Sequence, residues 1–416
     1  MNDFVPPFAD WLQLPTTAIT YHVSDVLRRV YTDLALVEAN ASSFDLLGFA
    51  DAGHCVLSPK TESHREITTS WQGPGGGLSR ELLNGCFEAV WQENTITVVY
   101  LSWPGDYGRK EYCFLLASTR EMAEQFFEAV CEWGAEIRGE VLVFEDGCWS
   151  KNAELFEAIQ NSRFENLILS GTLKQELRED FARFFASRAA YERYNIPWKR
   201  GVLLVGPPGN GKTHTVKALV NTCGVPCLYV KSFKSEYGTD QDNIRKVFKR
   251  ARQTTPCLLI LEDLDALITD ENRAFFLNEL DGFAENTGIV TVASTNHPER
   301  LDGAITNRPS RFDRKYHFTL PALEEREQYV ALWNGGLAPE LRVSKTDLQV
   351  LAEETDGFSF AYLKELFVSS LTQWVSANAA GENEAFAHVL HEQARLLREQ
   401  MRAAGALSAN QNQGTG

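Results

Sequence analysis

The segment GVLLVGPPGNGKTHTVKALVN, residues 201–221, decides the fold of this chain. An apolar run that predicts a buried strand leads into residues 206–213, GPPGNGKT, which match the pattern G-x-x-x-x-G-K-[ST], and a helix-like segment follows. In this context glycines let the backbone wrap phosphates, so that several N–H groups and a helix N-terminus face the negative charge. The segment therefore predicts a binding site for the phosphates of a nucleotide.

The residues of this loop have distinct expected contacts. Lys212 is expected to reach the β- and γ-phosphates, and the hydroxyl of Thr213 is expected to hold Mg²⁺. ATP and Mg²⁺ are therefore the predicted cofactors. The predicted ATP-binding residues are Gly206, Pro207, Pro208, Gly209, Asn210, Gly211, Lys212, Thr213 and His214.

Two acids end a later apolar strand. Residues 258–263 read LLILED, so Glu262 and Asp263 stand at the end of a run that predicts a buried strand. In such a position one acid holds the water shell of Mg²⁺ and the next polarises the attacking water. The alternative, a solvated strand end, is disfavoured by the phosphate-binding loop upstream. Glu262 and Asp263 are predicted as catalytic and metal-binding, whereas Asp265 is expected to cap or orient a loop.

A polar tip follows another strand-like run. Ile289–Ala293 leads into Ser294-Thr295-Asn296. An asparagine at a strand end is usually a turn former, but beside a γ-phosphate it can orient the attacking water. Because the loop and the acid pair are present, Asn296 is predicted to act in catalysis.

Three arginines lie within residues 307–314, NRPSRFDR. An arginine can stabilise the charge on a transferring phosphoryl group as an arginine finger. The alternative is a solvated basic loop or a salt-bridge hub, which is the expectation for Arg314. For Arg308 and Arg311 the residues alone leave both roles open.

Strand and helix patterns alternate after residue 200. Five short runs are separated mostly by intervals long enough for crossover helices, which is typical of a parallel sheet covered on both faces. A helical pattern then continues from Pro321 to about residue 404, before a small polar tail. The five strand-like runs are Val202–Val205, Cys227–Val230, Cys257–Leu261, Ile289–Ala293 and Tyr316–Leu320.

The first 160 residues predict an α+β domain of their own, without a recognisable catalytic pattern. Thr95–Trp103 and Tyr112–Ser118 are expected to form a hairpin with a longer loop, and Val141–Glu145 is a further strand. Ser118 and Glu121 fit a capping box, so a helix is expected from Ser118. Residues 72–78, QGPGGGL, lack the Lys-Ser/Thr of a phosphate-binding loop and are expected to be a flexible loop.

Composition limits the classes of partner. The net charge of −16 is a poor match for a protein that binds duplex nucleic acid, which usually presents a basic face. The eight cysteines form no CxxC pair, which favours reduced thiols over a metal site. We find neither a signal peptide nor a run of about 18 apolar residues, so no membrane insertion and a cytoplasmic location are expected.

Together these motifs resemble the AAA ATPase family of the broad AAA+ class. The resemblance covers about residues 164–375, includes the lead-in IPWKRG at residues 196–201, and ends in TDGFSFA at residues 355–361, which is similar to the start of the family's lid helix. It implies a P-loop NTPase domain with a helical lid, in an α/β fold. Together with the patterns outside that range, the predicted domains are 1–160 (α+β), 161–320 (nucleotide-binding, five parallel strands), 321–404 (lid and C-terminal helices) and 405–416 (disordered tail).

The resemblance also implies an assembly. In the family, subunits form a ring, commonly of six, and the arginines that match Arg308 and Arg311 act on ATP bound by the neighbour. Hydrolysis moves pore loops that pull or remodel a protein client. The finger role is therefore predicted for both arginines, and the chain is predicted to be an ATP hydrolase.

The chain departs from the family pattern at three places. The acids stand as Glu262-Asp263 where Asp-Glu is usual, so the division of labour between them is open. Ile168-Leu169 replaces a common Gly-Gly, which with the Glu-Asp order looks most like the branch of the mitochondrial Rieske-protein translocase. The pore loop usually reads aromatic-x-Gly, but Tyr237 directly precedes Gly238, so Tyr237 or Phe233 is the candidate for gripping a client.

Three functions remain to be compared. The first is a ring-forming ATPase that remodels proteins, with the N-terminal domain binding a client or an adaptor. The second is a slow ATP-binding switch or scaffold for assembly, which the Glu-Asp order and the displaced aromatic keep open. The third, a DNA-loading ATPase, is disfavoured by the charge of −16. ATP turnover separates the first two.

Overall fold

The chain divides into two compact units, residues 1–138 and 139–416. The computed structural model describes residues 4–41, 44–60, 65–71, 78–105, 108–135, 140–236, 238–281, 286–306, 308, 310–379 and 385–413.

The first unit is built on a six-stranded antiparallel sheet. Its strands run in the order β1-β6-β5-β4-β2, and β3 pairs with β4. Alternate residues of β5 face opposite sides, so Ile96 and Val98 pack with Phe126 of α4, whereas Val99 packs with Leu27 of α2. The elements are α1 (Phe8–Leu12), α2 (Ile19–Val30), β1 (Ala35–Asn40), α3 (Leu46–Asp51), β2 (Val56–Pro59), β3 (Arg65–Trp71), β4 (Leu78–Trp91), β5 (Asn94–Gly105), β6 (Gly108–Ala117) and α4 (Arg120–Ala135).

The predicted hairpin and helix of this unit are present, with shifted ends. The strands β5 and β6 pair as far as the couple Gly105 and Gly108, so the connection is shorter than predicted. Helix α4 is capped by Thr119, whose hydroxyl accepts a hydrogen bond from the N–H of Met122 at 3.2 Å, rather than by Ser118. The predicted loop at residues 72–78 lies outside the described residues except for Leu78, which begins β4.

The second unit contains a seven-stranded sheet in the order β13-β9-β12-β11-β10-β7-β8. Every neighbouring pair is parallel except β7 and β8, which are antiparallel. The strands are β7 (Val141–Glu145), β8 (Cys148–Asn152), β9 (Arg200–Val205), β10 (Cys227–Val230), β11 (Cys257–Leu261), β12 (Ile289–Thr295) and β13 (Arg314–His317). The helices before the lid are α5 (Ala153–Gln160), α6 (Leu173–Ala186), α7 (Arg188–Arg193), α8 (Lys212–Cys223), α9 (Asp240–Gln253), α10 (Leu264–Leu267), α11 (Arg273–Asp281) and α12 (Gly303–Thr306).

This sheet confirms the predicted α/β fold and extends it. Four of the five predicted runs form β9 to β12. The fifth, Tyr316–Leu320, overlaps β13 only at its first two residues, because that strand spans Arg314–His317. The sequence analysis assigns strand β7 to the N-terminal domain, but β7 pairs with β10 through Leu142 and Leu228. Strand β8 joins the same sheet by pairing with β7. The two compact units therefore part at residue 138, whereas the predicted domain boundary stands at residue 160. An apolar five-residue run does not itself encode which sheet it joins.

A helical lid completes the second unit. It consists of α13 (Leu323–Gly336), α14 (Lys345–Glu354), α15 (Phe360–Ala379) and α16 (Phe386–Gln413). Its separate core includes Leu351, Phe358, Phe367 and Leu390. The predicted helical C-terminal part is thus present.

Helix α16 continues where the sequence analysis places a disordered tail. It runs to Gln413 and so includes most of residues 405–416. After the costly first turn has formed, each further residue that joins a helix gains one hydrogen bond. A polar, alanine-containing end can therefore prolong the helix. Among the helices that the structure describes, none combines the length and the apolar character that crossing a bilayer requires.

A buried ionic cluster ties α6 to the sheet. Asp180 of α6, 8% exposed, accepts hydrogen bonds from Arg200 of β9 and, at 3.0 Å, from the hydroxyl of Tyr316 of β13. Arg314 lies 3.7 Å from the same carboxylate, in the salt-bridge role expected for it. The contacts join three elements that are distant in sequence.

We expect Asp180→Ala to lower the free energy of unfolding by about 3 kcal/mol, because it leaves the buried Arg200 guanidinium without this partner. Urea denaturation measures the change. The matched control is Asp270→Ala, since Asp270 is 91% exposed in its pair with Arg273 and should shift stability by no more than about 0.5 kcal/mol. Equal effects of the two substitutions would refute the stabilising role of the cluster.

Candidate ATP and magnesium site

The glycine-rich loop lies between the carboxyl end of β9 and the start of α8. Gly209 has a φ of 77°, a conformation that costs little only for glycine. A Cβ atom at Gly209 would lie 2.7 Å from the Cβ of Ala361, and one at Gly206 would lie 2.0 Å from the carbonyl oxygen of Phe318. Glycine at these positions therefore allows both the loop conformation and its close packing.

The loop also contacts the lid. The N–H of Ala361, near the start of α15, donates to the carbonyl oxygen of Gly209 at 3.1 Å. Ser359, one residue before α15, is the other lid residue that a side chain at Gly209 would meet. The phosphate-binding loop and the start of α15 are therefore in direct contact.

Lys212 lies inside the loop, only 6% exposed. Its Nζ donates to the carbonyl oxygens of Gly206 at 2.5 Å and Pro207 at 2.9 Å. Burial lowers the pKa of Lys212, and the nearby carboxylates of Asp263 and Glu262 oppose that shift. A cation held among backbone carbonyls can exchange them for the more strongly attracting oxygens of phosphates.

The other predicted loop residues surround this lysine. Asn210 is buried and donates to the carbonyl oxygen of Pro207 at 3.4 Å, while Pro207 and Pro208 are exposed. Gly211, with a φ of 89°, is the N-cap of α8. His214, in the first turn of α8, has a pKa that burial, Lys217 and Lys364 lower. The lowered pKa favours the neutral form of the imidazole.

The two acids follow β11 at the same edge of the sheet. Glu262 accepts a hydrogen bond at its Oε2 from the hydroxyl of Tyr229 at 2.9 Å, and its Oε1 is buried without a hydrogen-bond partner among the described residues. Asp263 is exposed, and its backbone is left-handed, with φ 49° and ψ 54°. Aspartate tolerates this conformation better than most residues do, which gives a local reason for the shorter acid at this place.

Asn296 and the neighbouring end of β12 hold Asp263 in place. The Nδ2 of Asn296 donates to the Oδ1 of Asp263 at 3.1 Å, and the N–H of Asp263 donates to the hydroxyl of Ser294 at 3.3 Å. Asp265 accepts a hydrogen bond from the hydroxyl of Thr295 at 2.7 Å, so it holds the end of β12, whereas the sequence analysis expects it to cap or orient a loop. The structure therefore brings together Lys212, Glu262, Asp263 and Asn296.

The oxygen donors present fit a magnesium ion. Mg²⁺ prefers oxygen ligands and keeps several of its waters, which carboxylates then hold. Thr213 and Glu262 line one cavity of about 170 Å³. The buried Oε1 of Glu262 is an acceptor that a metal-bound water would satisfy. When bound, the ion would neutralise charge that develops on the phosphates.

The predicted finger arginines lie at the other end of the sheet. The carbonyl oxygen of Arg311 would be 1.7 Å from a Cβ at Gly201, near the start of β9, whereas the phosphate loop follows the end of β9. Arg311 is 7% exposed and donates to Asp281 through Nε at 3.0 Å and Nη2 at 2.7 Å, and it also donates to the carbonyl oxygen of Ala304. Arg308 is 63% exposed and lies 3.3 Å from Asp281.

Asp281 thus links both arginines. Burial alone would raise the pKa of its carboxyl, but Arg311, Ser310 and Arg308 lower it below its usual value. Asp281 remains charged across the physiological range. Neither arginine meets the acid pair of its own chain.

Phe233 and Tyr237 are the two aromatic residues predicted as candidates for gripping a client. Phe233 is 1% exposed and packs against Phe276, with ring centroids 6.2 Å apart, so the expectation that it grips a client is wrong. Phe233 is the third residue after the end of β10, and its ring packs into the core against α11. Tyr237 lies outside the described residues, and Gly238 is exposed with a φ of 107°.

Two site contacts were missed from the sequence. Tyr229 bonds to Glu262, and Asp281 holds both arginines. The strand that carries Tyr229 was predicted, and its pairing with β11 would have placed the tyrosine beside the acids. Asp281 is the last residue of α11, and nothing in its local pattern indicates its partners.

Comparisons with known proteins agree with this geometry. Residues 202–320 match the model of the family described as "ATPase family associated with various cellular activities (AAA)". The ATP-dependent zinc metalloprotease FtsH 2 of Phytoplasma mali is 33% identical over 230 residues, which are 51% of this chain and 32% of that protein. The corresponding FtsH of Aster yellows witches'-broom phytoplasma is 30% identical over 336 residues, 76% of this chain and 48% of that protein.

A plant relative has similar coverage. The chloroplastic metalloprotease FTSH 8 of Arabidopsis thaliana is 34% identical over 212 residues, 46% of this chain and 30% of that protein. The chain spans about a third of the length of the first relatives that it matches. None of the relatives named here is a Rieske-protein translocase. The chain carries an AAA ATPase domain, the domain of an ATP-hydrolysing enzyme.

Proposed function

We propose that this chain hydrolyses ATP as a subunit of a ring and uses the energy to remodel a protein client. The observation that supports the ring best is the separation of the phosphate loop from Arg308 and Arg311 within one chain. From Gly201 to Gly206 the strand advances about 16 Å at ~3.3 Å per residue. A neighbour that presents its arginine end to this loop would complete the site.

Within this proposal each site residue has a role. Lys212 binds the β- and γ-phosphates, and Thr213 with Glu262 holds Mg²⁺ and its waters. Asp263 polarises the attacking water, since its exposed carboxylate is oriented by Asn296. Arg308, which is exposed, acts on the ATP of the next subunit. Arg311 would do so after leaving Asp281, or would support Arg308 from its buried position.

The domains have corresponding proposed roles. Residues 139–320 bind the nucleotide, and the lid from residue 321 senses it through the contact between Ala361 and Gly209. The N-terminal unit binds the client or an adaptor. A hexamer is the proposed ring size, by analogy with the family. The proposed closeness to the Rieske-protein translocase branch rests on Ile168-Leu169 and the Glu262-Asp263 order alone.

ATP hydrolysis measured against protein concentration tests the shared site. We expect the rate per subunit to rise with concentration as subunits assemble, and to vanish in Lys212→Ala at every concentration, because the phosphates lose their cation. Sedimentation of the same samples reports the mass. A constant rate per subunit from a species of monomer mass would refute the shared site.

A slow ATP-binding switch is the second candidate. It is favoured by the pairing of Arg311 with Asp281, since an arginine used within its own chain is not available to a neighbour. In that case ATP binding would drive assembly without turnover. The switch, rather than the remodelling enzyme, would be supported if the chain assembles on ATP while its turnover stays within about twofold of the background measured for Lys212→Ala.

Tyr237 is the proposed client-gripping residue. We expect Tyr237→Ala to keep basal ATP hydrolysis within about twofold but to lose its stimulation by an unfolded, reduced and carboxymethylated model protein, because the aromatic contact with the client is gone. The matched control is Tyr194→Ala, since Tyr194 is an exposed tyrosine outside this loop. Stimulation that survives in Tyr237→Ala would remove the pore-loop role.

A further inference from the structure

We infer that Tyr229 is a positioning residue for the magnesium ion of this site: its hydroxyl holds one carboxylate oxygen of Glu262 and leaves the other for water bound to the metal. The inference rests on the proposed ATP site and deepens it. Neither the phosphate-loop pattern nor the acid pair includes Tyr229, which lies on a different strand.

The sheet register brings the two side chains together. Strands β10 and β11 are parallel, and Tyr229 is opposite Ile260. Glu262 is two residues further along, on the same face as Ile260, about 6.6 Å nearer the carboxyl edge. A phenol ring that lies along the strand direction spans this distance. The hydroxyl oxygen of Tyr229 accordingly lies 2.9 Å from the Oε2 of Glu262.

The two oxygens of Glu262 have different surroundings. Oε2 accepts the hydrogen bond from Tyr229, whereas Oε1 is buried and has no hydrogen-bond partner in the described part of the chain. A buried carboxylate oxygen normally has a donor. Thr213, whose hydroxyl is the other oxygen expected at the metal, lines the same cavity as Tyr229 and Glu262. A water carried by Mg²⁺ is the donor whose chemistry fits Oε1.

The length of Glu262 explains why such a restraint is useful. Compared with aspartate, glutamate has one more rotatable bond between staggered positions, so it has about three times as many rotamers. Tyr229 selects the rotamers that direct Oε1 toward the cavity. A phenol is a neutral donor, so it fixes the carboxylate without neutralising the charge that attracts the cation. A lysine or arginine at this place would have weakened that attraction.

Magnesium-dependent nucleotide binding tests the inference without relying on turnover. A fluorescent ATP analogue is titrated in EDTA and at rising Mg²⁺ concentration, which gives the nucleotide Kd without metal and the Mg²⁺ concentration at half effect. We expect Tyr229→Phe to keep the Kd in EDTA and to raise the half-effect Mg²⁺ concentration about threefold to tenfold. The phenyl ring preserves the packing and removes only the hydroxyl.

A matched control is available in the same unit. Tyr316→Phe also removes a hydrogen bond from a phenol to a carboxylate, that to Asp180 at 3.0 Å, but at a place remote from the acid pair. We expect its half-effect Mg²⁺ concentration to equal that of the unsubstituted chain. A rise in both variants would mean that loss of a buried hydrogen bond acts generally, and it would overturn the inference.

The dependence on Glu262 is tested by a double-mutant cycle. In Glu262→Asp the carboxylate is one methylene shorter and no longer reaches Tyr229. Tyr229→Phe should therefore have no further effect on the half-effect Mg²⁺ concentration in that background. Additive effects of the two substitutions would overturn the inference, because Tyr229 would then act by another route.

The outcomes separate this inference from the proposed function. If the unsubstituted chain binds the analogue in a Mg²⁺-dependent manner and Tyr229→Phe does the same at unchanged Mg²⁺ concentration, only the positioning role fails. A parallel loss of binding in EDTA and in Mg²⁺ assigns Tyr229 to the fold and also overturns it. Failure of the unsubstituted chain to bind the analogue removes the ATP site and the inference together.

Discussion

Asp263→Asn is expected to lower the rate of ATP hydrolysis at least about a hundredfold while ATP still binds. The amide cannot take a proton from the attacking water, but it has the size of the carboxylate. It also tolerates the left-handed backbone at this position, and its oxygen can still accept the hydrogen bond from Asn296. The loss would therefore report on the chemistry rather than on the local structure.

The rate of ATP hydrolysis also distinguishes which of the two acids binds the metal and which acts as the base. Glu262→Gln should instead raise the Mg²⁺ requirement. Glu262 lines a cavity together with Thr213, and its buried Oε1 has no hydrogen-bond partner among the residues that the structure describes. Single-turnover hydrolysis at saturating Mg²⁺ separates the two effects, because a weakened metal site recovers there and a missing base does not. If Glu262→Gln shows the deeper loss at saturating Mg²⁺, the assignment of the base to Asp263 is wrong.

Asp265→Asn serves as the control for removal of one negative charge near Lys212. Asp265 accepts a hydrogen bond from Thr295, and an amide oxygen can accept the same bond. We expect a change in turnover of less than about threefold, because Asp265 only orients the strand end. The contrast with Asp263→Asn then excludes a general electrostatic effect on the lysine.

The parts of the site that the sequence predicted are those encoded by contiguous residues. The glycine loop with Lys212 and Thr213, the acids that end β11 and the asparagine that ends β12 each follow a short apolar run. Such runs predict strands, and the carboxyl ends of parallel strands meet at one edge of a sheet. Local pattern and sheet geometry together were therefore sufficient to bring Glu262, Asp263 and Asn296 to the loop.

The features that the sequence did not predict depend on pairing between distant segments. Strand β7 has the same apolar pattern whether it joins the first sheet or the second, and only its contact with β10 decides. Tyr229 is one of several aromatic residues in strands until its register with β11 is known. Phe233 looked available for a client because a sequence gives the residue type, not its burial at 1% exposure.

The contacts of Arg308 and Arg311 also could not be predicted from the sequence. Their spacing in the sequence indicates a cluster, but Asp281, the acid that both contact, lies 30 residues before Arg311. The separation between Arg311 and the phosphate loop becomes visible only when β9 is seen to connect them end to end. That separation turns a resemblance into a geometric argument for a second subunit.

A mixture of Arg308→Ala and Lys212→Ala subunits tests that argument most directly. Each variant alone should lose at least about a hundredfold in turnover, the first with ATP binding kept and the second without it. In an equal mixture, an intact site forms wherever the loop of an Arg308→Ala subunit faces the arginine of a Lys212→Ala subunit. If subunits mix at random, this happens at about one quarter of the interfaces of a closed ring.

We therefore expect the mixture to recover up to about a quarter of the turnover of the unsubstituted chain per interface, with a maximum at equal proportions, since an intact interface needs one subunit of each kind. The matched control replaces Lys212→Ala by the double variant Lys212→Ala/Arg308→Ala, which supplies no arginine and should give no recovery at any ratio. Turnover that merely equals the sum of the two separate variants would mean that Arg308 does not act across the interface. Recovery that also appears with the double variant would mean that assembly alone restores the site, and the arginine would then have no part in the chemistry.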